Sequence, residues 1–251
     1  VEETESSFRD VARGPKGRLR IDVPAPIGRQ ILIPHLSEFH ARYPDVELHI
    51  GMGDRAVDLV REAVDCVIRV GELQDSTLVA RRIGMLKMIT CATPDYLDRY
   101  GIPLSIDDLS RHLAVHYFSS RTGRNFDWDF IIDGQTKQVA MRGSVSVNDS
   151  EAYVTCGLQS FGLIQPARFT VLPHLESGAL VEVLHQLSPT PIPMWVGYMQ
   201  NRHLSAKVRA FVDWVSELFA ACPLLGGVDS GSGECSFNAR PSNSTLRNEM
   251  N

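Results

Sequence analysis

The stretch Ala63–Leu73, AVDCVIRVGEL, threads a guanidinium, Arg69, onto the end of an almost continuous apolar run. A planar fork of N–H donors in that position suits a carboxylate held in a dry cleft. The other reading is a structural ion pair with a nearby Asp or Glu, or a guanidinium lying along the surface. Two further patterns look catalytic and fail on spacing. In HLSEFH, His35 and His40 are five residues apart, roughly 140° around a helix, whereas a zinc-binding H-E-x-x-H needs histidines four apart. They read as two helix histidines with separate surroundings. In GLQSFG, a nucleophile elbow would need glycine two residues before Ser160, and Leu158 stands there. Ser160 therefore reads as a helix-end serine.

Other chemistries find no support in the sequence. Gly51 and Gly53 lack the third glycine of a dinucleotide fingerprint, and there is no Walker sequence. The five cysteines, at 66, 91, 156, 222 and 235, include no C-x-x-C pair. No catalytic residue, metal site or cofactor is predicted. Cys66, Cys91 and Cys156 lie in apolar segments and read as small buried hydrophobes, which fits a reducing cytoplasm. In that compartment the N-x-S/T matches at Asn148 and Asn243 carry no meaning.

Composition bounds the rest. A chain of 251 residues with 43% hydrophobic content can bury a large core. Its net charge of −5 argues against gripping nucleic acid unaided, because phosphate binding wants a positive surface. No apolar run reaches the roughly 18 residues of a membrane span. The opening VEETESS is acidic where a secretory signal would be basic and then apolar.

The elements that must position Arg69 follow from periodicity. GRLRIDVP alternates Leu19, Ile21 and Val23 against Arg18, Arg20 and Asp22, the period of a strand. Ile27, Ile31, Leu32, Leu36, Phe39 and Tyr43 form one helical stripe, ended at Tyr43-Pro44-Asp45. VELHIGM, AVDLVREA and DCVIRVG continue as strand, helix and strand, which implies a parallel sheet. A second rhythm follows, with strands LAVHYF, FDWDFII, KQVAMRG and SVSV, the capped helix EAYVTCGLQS and the short strand FGLI. ALVEVL and IPMWVGYM are strands, and SAKVRAFVDWVSELFA is an amphipathic helix. Val1–Ala12 reads as the last turns of a helix begun upstream, and the Gly/Ser/Asn-rich end as a disordered tail. Trp128 and Trp195 are expected in the core or between lobes.

The expected fold is α/β, two Rossmann-like lobes joined by two crossover strands. The domains are residues 1–14, the end of a linker helix; 15–91 with 190–221, lobe I; 92–189, lobe II; and 222–251, the tail. Ligands of such sheets bind beyond the carboxyl ends of strands, where helix N-termini expose free N–H groups. Three junctions qualify: Ala25-Pro26-Ile27-Gly28 after the first strand, Arg69-Val70 at the end of the third, and Asn148-Asp149 at the turn into the second lobe's helix. The polar loop Ser119-Ser120-Arg121 is a weaker candidate, with an ordinary solvated loop as the alternative.

Seven segments in order resemble the effector-binding domain of LysR-type transcriptional regulators: GRLRIDVPAPIGRQILIPHLSEFHARYPDVELHI, DLVREAVDCVIRVGELQDSTLVARRIG, PDYLDRYGIPLSIDDLSRH, SVNDSEA, GLIQPARF, GALVEVL and SAKVRAFVDWV, with the helix end at Val1–Ala12 before them. The resemblance implies a fold like type II periplasmic binding proteins, with a small inducer, often an organic acid, in the interlobe cleft. It also implies a homo-oligomer (dimer or tetramer) and promoter contact only through a winged helix-turn-helix N-terminal to this domain. The family's inducer contacts fall on Ala25–Gly28, Arg69-Val70 and Asn148-Asp149. Related members often carry a hydroxyl where this chain has Pro26, so the site is expected to be less polar there or degenerate. The function expected is cytoplasmic effector sensing without catalysis. A stand-alone periplasmic solute-binding protein of the same fold is the alternative, and an enzyme on this fold ranks third.

Overall fold

The computed structural model describes residues 14–54, 59, 61–72, 78–200 and 204–222. The readings of a linker-helix end at Val1–Ala12 and of a tail beyond residue 222 lie outside these residues. So does half of AVDLVREA, whose described residues, 59 and 61–63, form turns.

Strand β1 (Gly17–Val23) pairs in parallel with β2 (Val46–Met52) on one side and β3 (Cys66–Val70) on the other. The sheet is nevertheless mixed. Its order is β2-β1-β3-β11-β4, with β11 (Ile192–Met199) antiparallel to both β3 and β4 (Leu78–Leu86). The parallel reading holds for the three strands linked by local crossovers. It fails for β11, which enters the sheet after more than a hundred residues spent elsewhere, so no crossover fixes its direction.

Between β1 and β2 runs one helical segment, α1 (residues 25–42). It opens as an α-turn at Ala25–Ile27, widens to π geometry at Gly28–Leu32, tightens to a 3-10 turn at Ile33–His35 and closes as α-helix over Leu36–Arg42. Pro34 explains the irregularity, since its missing N–H breaks the regular ladder. The expected stripe still faces inward. Ile27, Ile31, Leu32 and Phe39 are buried against β1 and against the C-terminal helix α5 (Ala206–Ala221). Phe39 packs edge-on against Phe211 and Trp214 at centroid distances of 6.0 and 5.1 Å, and those two rings are tilted against each other at 5.9 Å.

The alternation read in β1 misassigns one residue. Leu19, Ile21 and Val23 are buried as expected, but Asp22 is buried too. Val67, its neighbour in register, belongs to a small apolar cluster with Leu59, Val64, Leu78 and Met199, so the sheet's other face is covered at this end.

The chain leaves the five-stranded sheet after β4 and builds a second lobe before returning as β11. Here β5 (Thr90–Ala92) pairs with β10 (Val181–Val183), β6 (Leu113–Tyr117) with β9 (Arg142–Val147), and β7 (Trp128–Ile132) with β8 (Gln135–Val139). The FGLI segment stitches these pairs together through bridges from Ile164 to Cys91 and from Leu163 to Ala114, rather than forming a strand of its own. Gly162 is required there: a Cβ would lie 2.6 Å from the Leu113 carbonyl oxygen.

Helix α2 (Pro94–Tyr100) is capped by Thr93, whose hydroxyl accepts from the Tyr96 N–H at 3.2 Å. Helix α3 (Ser150–Leu158) follows β9, and α4 (Arg168–Glu176) follows the FGLI segment. Trp128 is in this lobe's core with Phe130 and Tyr96. No helix of the described residues is long and apolar enough to cross a membrane.

Candidate functional site

The carboxyl end of β1 runs through Pro24 into the first turn of α1, where Pro26 supplies a fixed φ that suits a helix start. Gly28 lets that turn settle on the sheet, because a Cβ there would come within 2.9 Å of Met52 Sδ and Val23 Cγ2. Ile27 and Gly28 are consequently buried, and Ala25 and Pro26 half-buried. Of the four expected contact positions here, only the latter two face outward. The Ala25–Ile27 turn packs against α3 of the second lobe.

Arg69 makes the structural ion pair that one of its readings expected. Its Nη1 donates to Asp22 Oδ1 at 2.8 Å and to the Ile68 carbonyl at 3.0 Å, a structural ion pair with the aspartate that the strand pattern had placed among polar positions. Its Nη2 is buried and has no hydrogen-bond partner among the described residues. Val70, beside it, is exposed, and Gly71 turns the chain with φ +94° while its carbonyl accepts from Trp195 Nε1 at 3.0 Å. Trp195 thus braces the end of β3.

From the second lobe, β9 delivers Asn148 and Asp149 to the start of α3. Asp149 is the cap, its carboxylate accepting from the Ala152 N–H at 2.8 Å. The Asn148 side-chain amide donates to Ser120 Oγ at 3.1 Å, which brings the 119–121 loop to this junction. That loop closes on itself, Ser119 N–H donating to Arg124 O at 2.9 Å and Gly123 N–H to Ser119 O at 2.8 Å. Ser119 is half-buried, whereas Ser120 and Arg121 are exposed. The structure therefore gathers Ala25-Pro26, Asn148-Asp149 and Ser120 around α3, and sets Arg69 against Asp22, three residues before Ala25.

Sequence reasoning missed three participants. Asp54, just past β2, accepts from the Ser150 N–H at 2.7 Å and from the Ser150 hydroxyl. The Tyr117 hydroxyl lies 3.1 Å from both Asp54 Oδ2 and the Asn148 carbonyl, and its one proton serves one acceptor at a time. Burial, reinforced by the Asp54 carboxylate, pushes the Tyr117 phenol above the usual tyrosine value, so it stays a neutral donor. Arg29 pairs with Glu151 across the lobes. A polar residue directly after a strand's carboxyl end was the available signal for Asp54, but its partners lie 63 and 96 residues away.

The dismissed motifs find ordinary roles. Ser160, at φ +59° just past α3, shares a hydrogen bond with Thr93 at 2.6 Å. His35 Nδ1 contacts the Ile31 carbonyl at 2.8 Å, while His40 lies beside Phe39. Burial pushes the Cys66 and Cys91 thiols up to about 12, which keeps them protonated and poor nucleophiles. Among the described residues, no three His, Cys, Asp or Glu side chains are grouped to hold a metal. A separate 180 Å³ pocket, lined by Asp65, Tyr198, Ser205 and Lys207 among others, lies at the amino ends of the strands, away from this junction. Asp65 there accepts from the Arg20 N–H at 3.0 Å and faces Lys207 Nζ at 3.4 Å.

Comparison with known proteins places this geometry. Residues 12–220 match the family described as the LysR substrate binding domain. The chain is 37% identical over 216 residues to YhjC, an HTH-type transcriptional regulator of Escherichia coli, covering 86% of this chain and 72% of the relative. It is 35% identical over 224 residues to an HTH-type transcriptional repressor of Pseudomonas aeruginosa, covering 89% and 70%. The full-length structure of the Vibrio cholerae virulence activator AphB superposes with a TM-score of 0.66 at 28% identity, covering 85% of this chain and 73% of that one. The fold is thus the two-lobed, periplasmic-binding-protein-like α/β fold of LysR-type regulatory domains. This chain belongs to the LysR substrate binding domain family, and it is the effector-binding domain of a LysR-type transcriptional regulator.

Proposed function

We propose that the junction between β1, β3 and α3 binds a small organic acid, and that occupancy shifts the arrangement of lobes or subunits in a homo-oligomer. The observation that carries the acid is Arg69: a guanidinium at a strand's carboxyl end with Nη1 committed to Asp22 and Nη2 buried without an acceptor. A buried, unmet N–H donor is costly, and a carboxylate oxygen placed on it recovers that cost. On this reading Ala25, Pro26, Ser120, Asn148 and Asp149 contact the ligand, with Ile27, Gly28, Val70, Ser119 and Arg121 beside them in the chain. Pro26 offers the ligand neither hydroxyl nor backbone donor, so the ligand's face there is apolar.

Transmission follows from differential affinity, since a ligand moves a two-state equilibrium only by binding one state better. With a net charge of −5 on this chain, promoter contact is assigned to a helix-turn-helix part of the kind the relatives' names describe. The protein works in the cytoplasm, where promoters are, and performs no catalysis.

A panel of small mono- and dicarboxylates, scored by thermal shift, tests the reading. At least one acid is expected to raise Tm. Arg69→Gln should remove that rise, and Asp22→Asn, which frees the guanidinium, should keep or enlarge it. A flat response from the whole panel defeats the proposal.

A further inference from the structure

Asp54, in the first lobe, reaches across to the second. One carboxylate oxygen, Oδ2, meets three donors of the second lobe: the Ser150 N–H at 2.7 Å, the Ser150 hydroxyl, and the Tyr117 hydroxyl at 3.1 Å. The residue before Asp54 is tied to the sheet. Gly53 N–H donates to the Val23 carbonyl at 3.1 Å, which fixes the turn after β2 to the end of β1. The donors are equally fixed, Ser150 opening the nine-residue helix α3 and Tyr117 ending β6. A charge-assisted bond to a helix's first free N–H is favoured both by the hydrogen bond and by the helix dipole. Nothing in the folding of either lobe alone requires it, because α3 already has its own cap in Asp149.

The charges around this contact matter as well. Asp54, Asp149 and Glu151 all sit at the start of α3, with Arg29 paired to Glu151. An incoming anion meets this group of carboxylates, so the donors at α3 are not open to it while Asp54 is in place.

We propose that Asp54 is a latch built into the chain. Its carboxylate closes the cleft without ligand by occupying the Ser150 and Tyr117 donors, and an acidic ligand reaches those donors only by displacing it. The second half rests on the acid-binding reading above; the first half stands without it. The Arg29–Glu151 pair is a weaker second strap, since both side chains are more than half exposed.

The latch is testable with no ligand present, by hydrogen–deuterium exchange over residues 148–158 and small-angle scattering on the intact chain. Asp54→Ala should accelerate exchange of the Ser150 amide at least tenfold and enlarge the radius of gyration. Glu151→Gln should change that exchange by less than twofold. Should the alanine variant fail to fold by circular dichroism, Asp54→Asn decides, since it keeps the shape and one acceptor and loses the charge; a clear but smaller acceleration is expected. A folded variant with wild-type exchange and scattering overturns the latch. Because the readout contains no acid, failure of the acid panel and failure of the latch are separate results.

Discussion

Asp22–Arg69 and Arg29–Glu151 join the same two chemical groups in two different surroundings. The first pair lies at the carboxyl end of the sheet with side chains 11% and 19% exposed; the second spans the lobes with 58% and 69% exposed. Removing one member of the first leaves a largely desolvated charge, whereas removing one member of the second returns the other to water. Burial therefore makes Arg69 necessary to its own lobe, and exposure leaves Arg29 and Glu151 free to part when the lobes move. On the proposed reading Arg69 would serve the ligand site and the scaffold at once.

The largest effect should come from breaking the buried pair. Arg69→Ala is expected to cost about 3 kcal/mol, at the low end for buried pairs because both groups keep some solvent, and to lower Tm by about 8 °C. Chemical denaturation of the variant checks this, and an unchanged midpoint would equate the two pairs. Next comes the cap of α3: Asp149→Ala should cost about 1 kcal/mol in the same measurement, since the Ala152 N–H loses its acceptor. Helix α5 offers the contrast. Ser205 stands at its N-cap position with no side-chain hydrogen bond to the helix, so Ser205→Ala should fall within about 0.5 kcal/mol of wild type. Smallest of all is Glu151→Gln, for which no resolvable change in Tm is expected at physiological salt; a clear drop would mean that the interlobe strap carries more than its exposure implies.

Much of the fold was legible, and the misreadings have physical causes. The stripe of α1 and the amphipathic character of α5 followed from helical period, and Trp214 on α5 is among the most buried residues. Helix α4 went unread because Pro173 stands inside it and its apolar residues do not keep to one face. Asp22 was assigned to solvent because alternation says which residues share a face, not whether a second layer covers that face. At the site, the three strand-end junctions were named from the rule that sheets bind ligands beyond strand carboxyl ends. Asp54 and Tyr117 were not named, since neither has a local pattern and each acquires its role from a partner brought in by the other lobe.

The sequence by itself determined the α/β character, the elements that carry the candidate site and the family, because hydrophobic period and ordered motifs are local or nearly so. Tertiary structure alone decided which carboxylate Arg69 meets, which of its N–H groups goes unmet, and which acid of the first lobe sits on α3. Those outcomes depend on residues dozens of positions apart arriving at hydrogen-bond distance, and on how much water is excluded when they do. The strength of a charge pair is set by that exclusion, and no one-dimensional pattern records it.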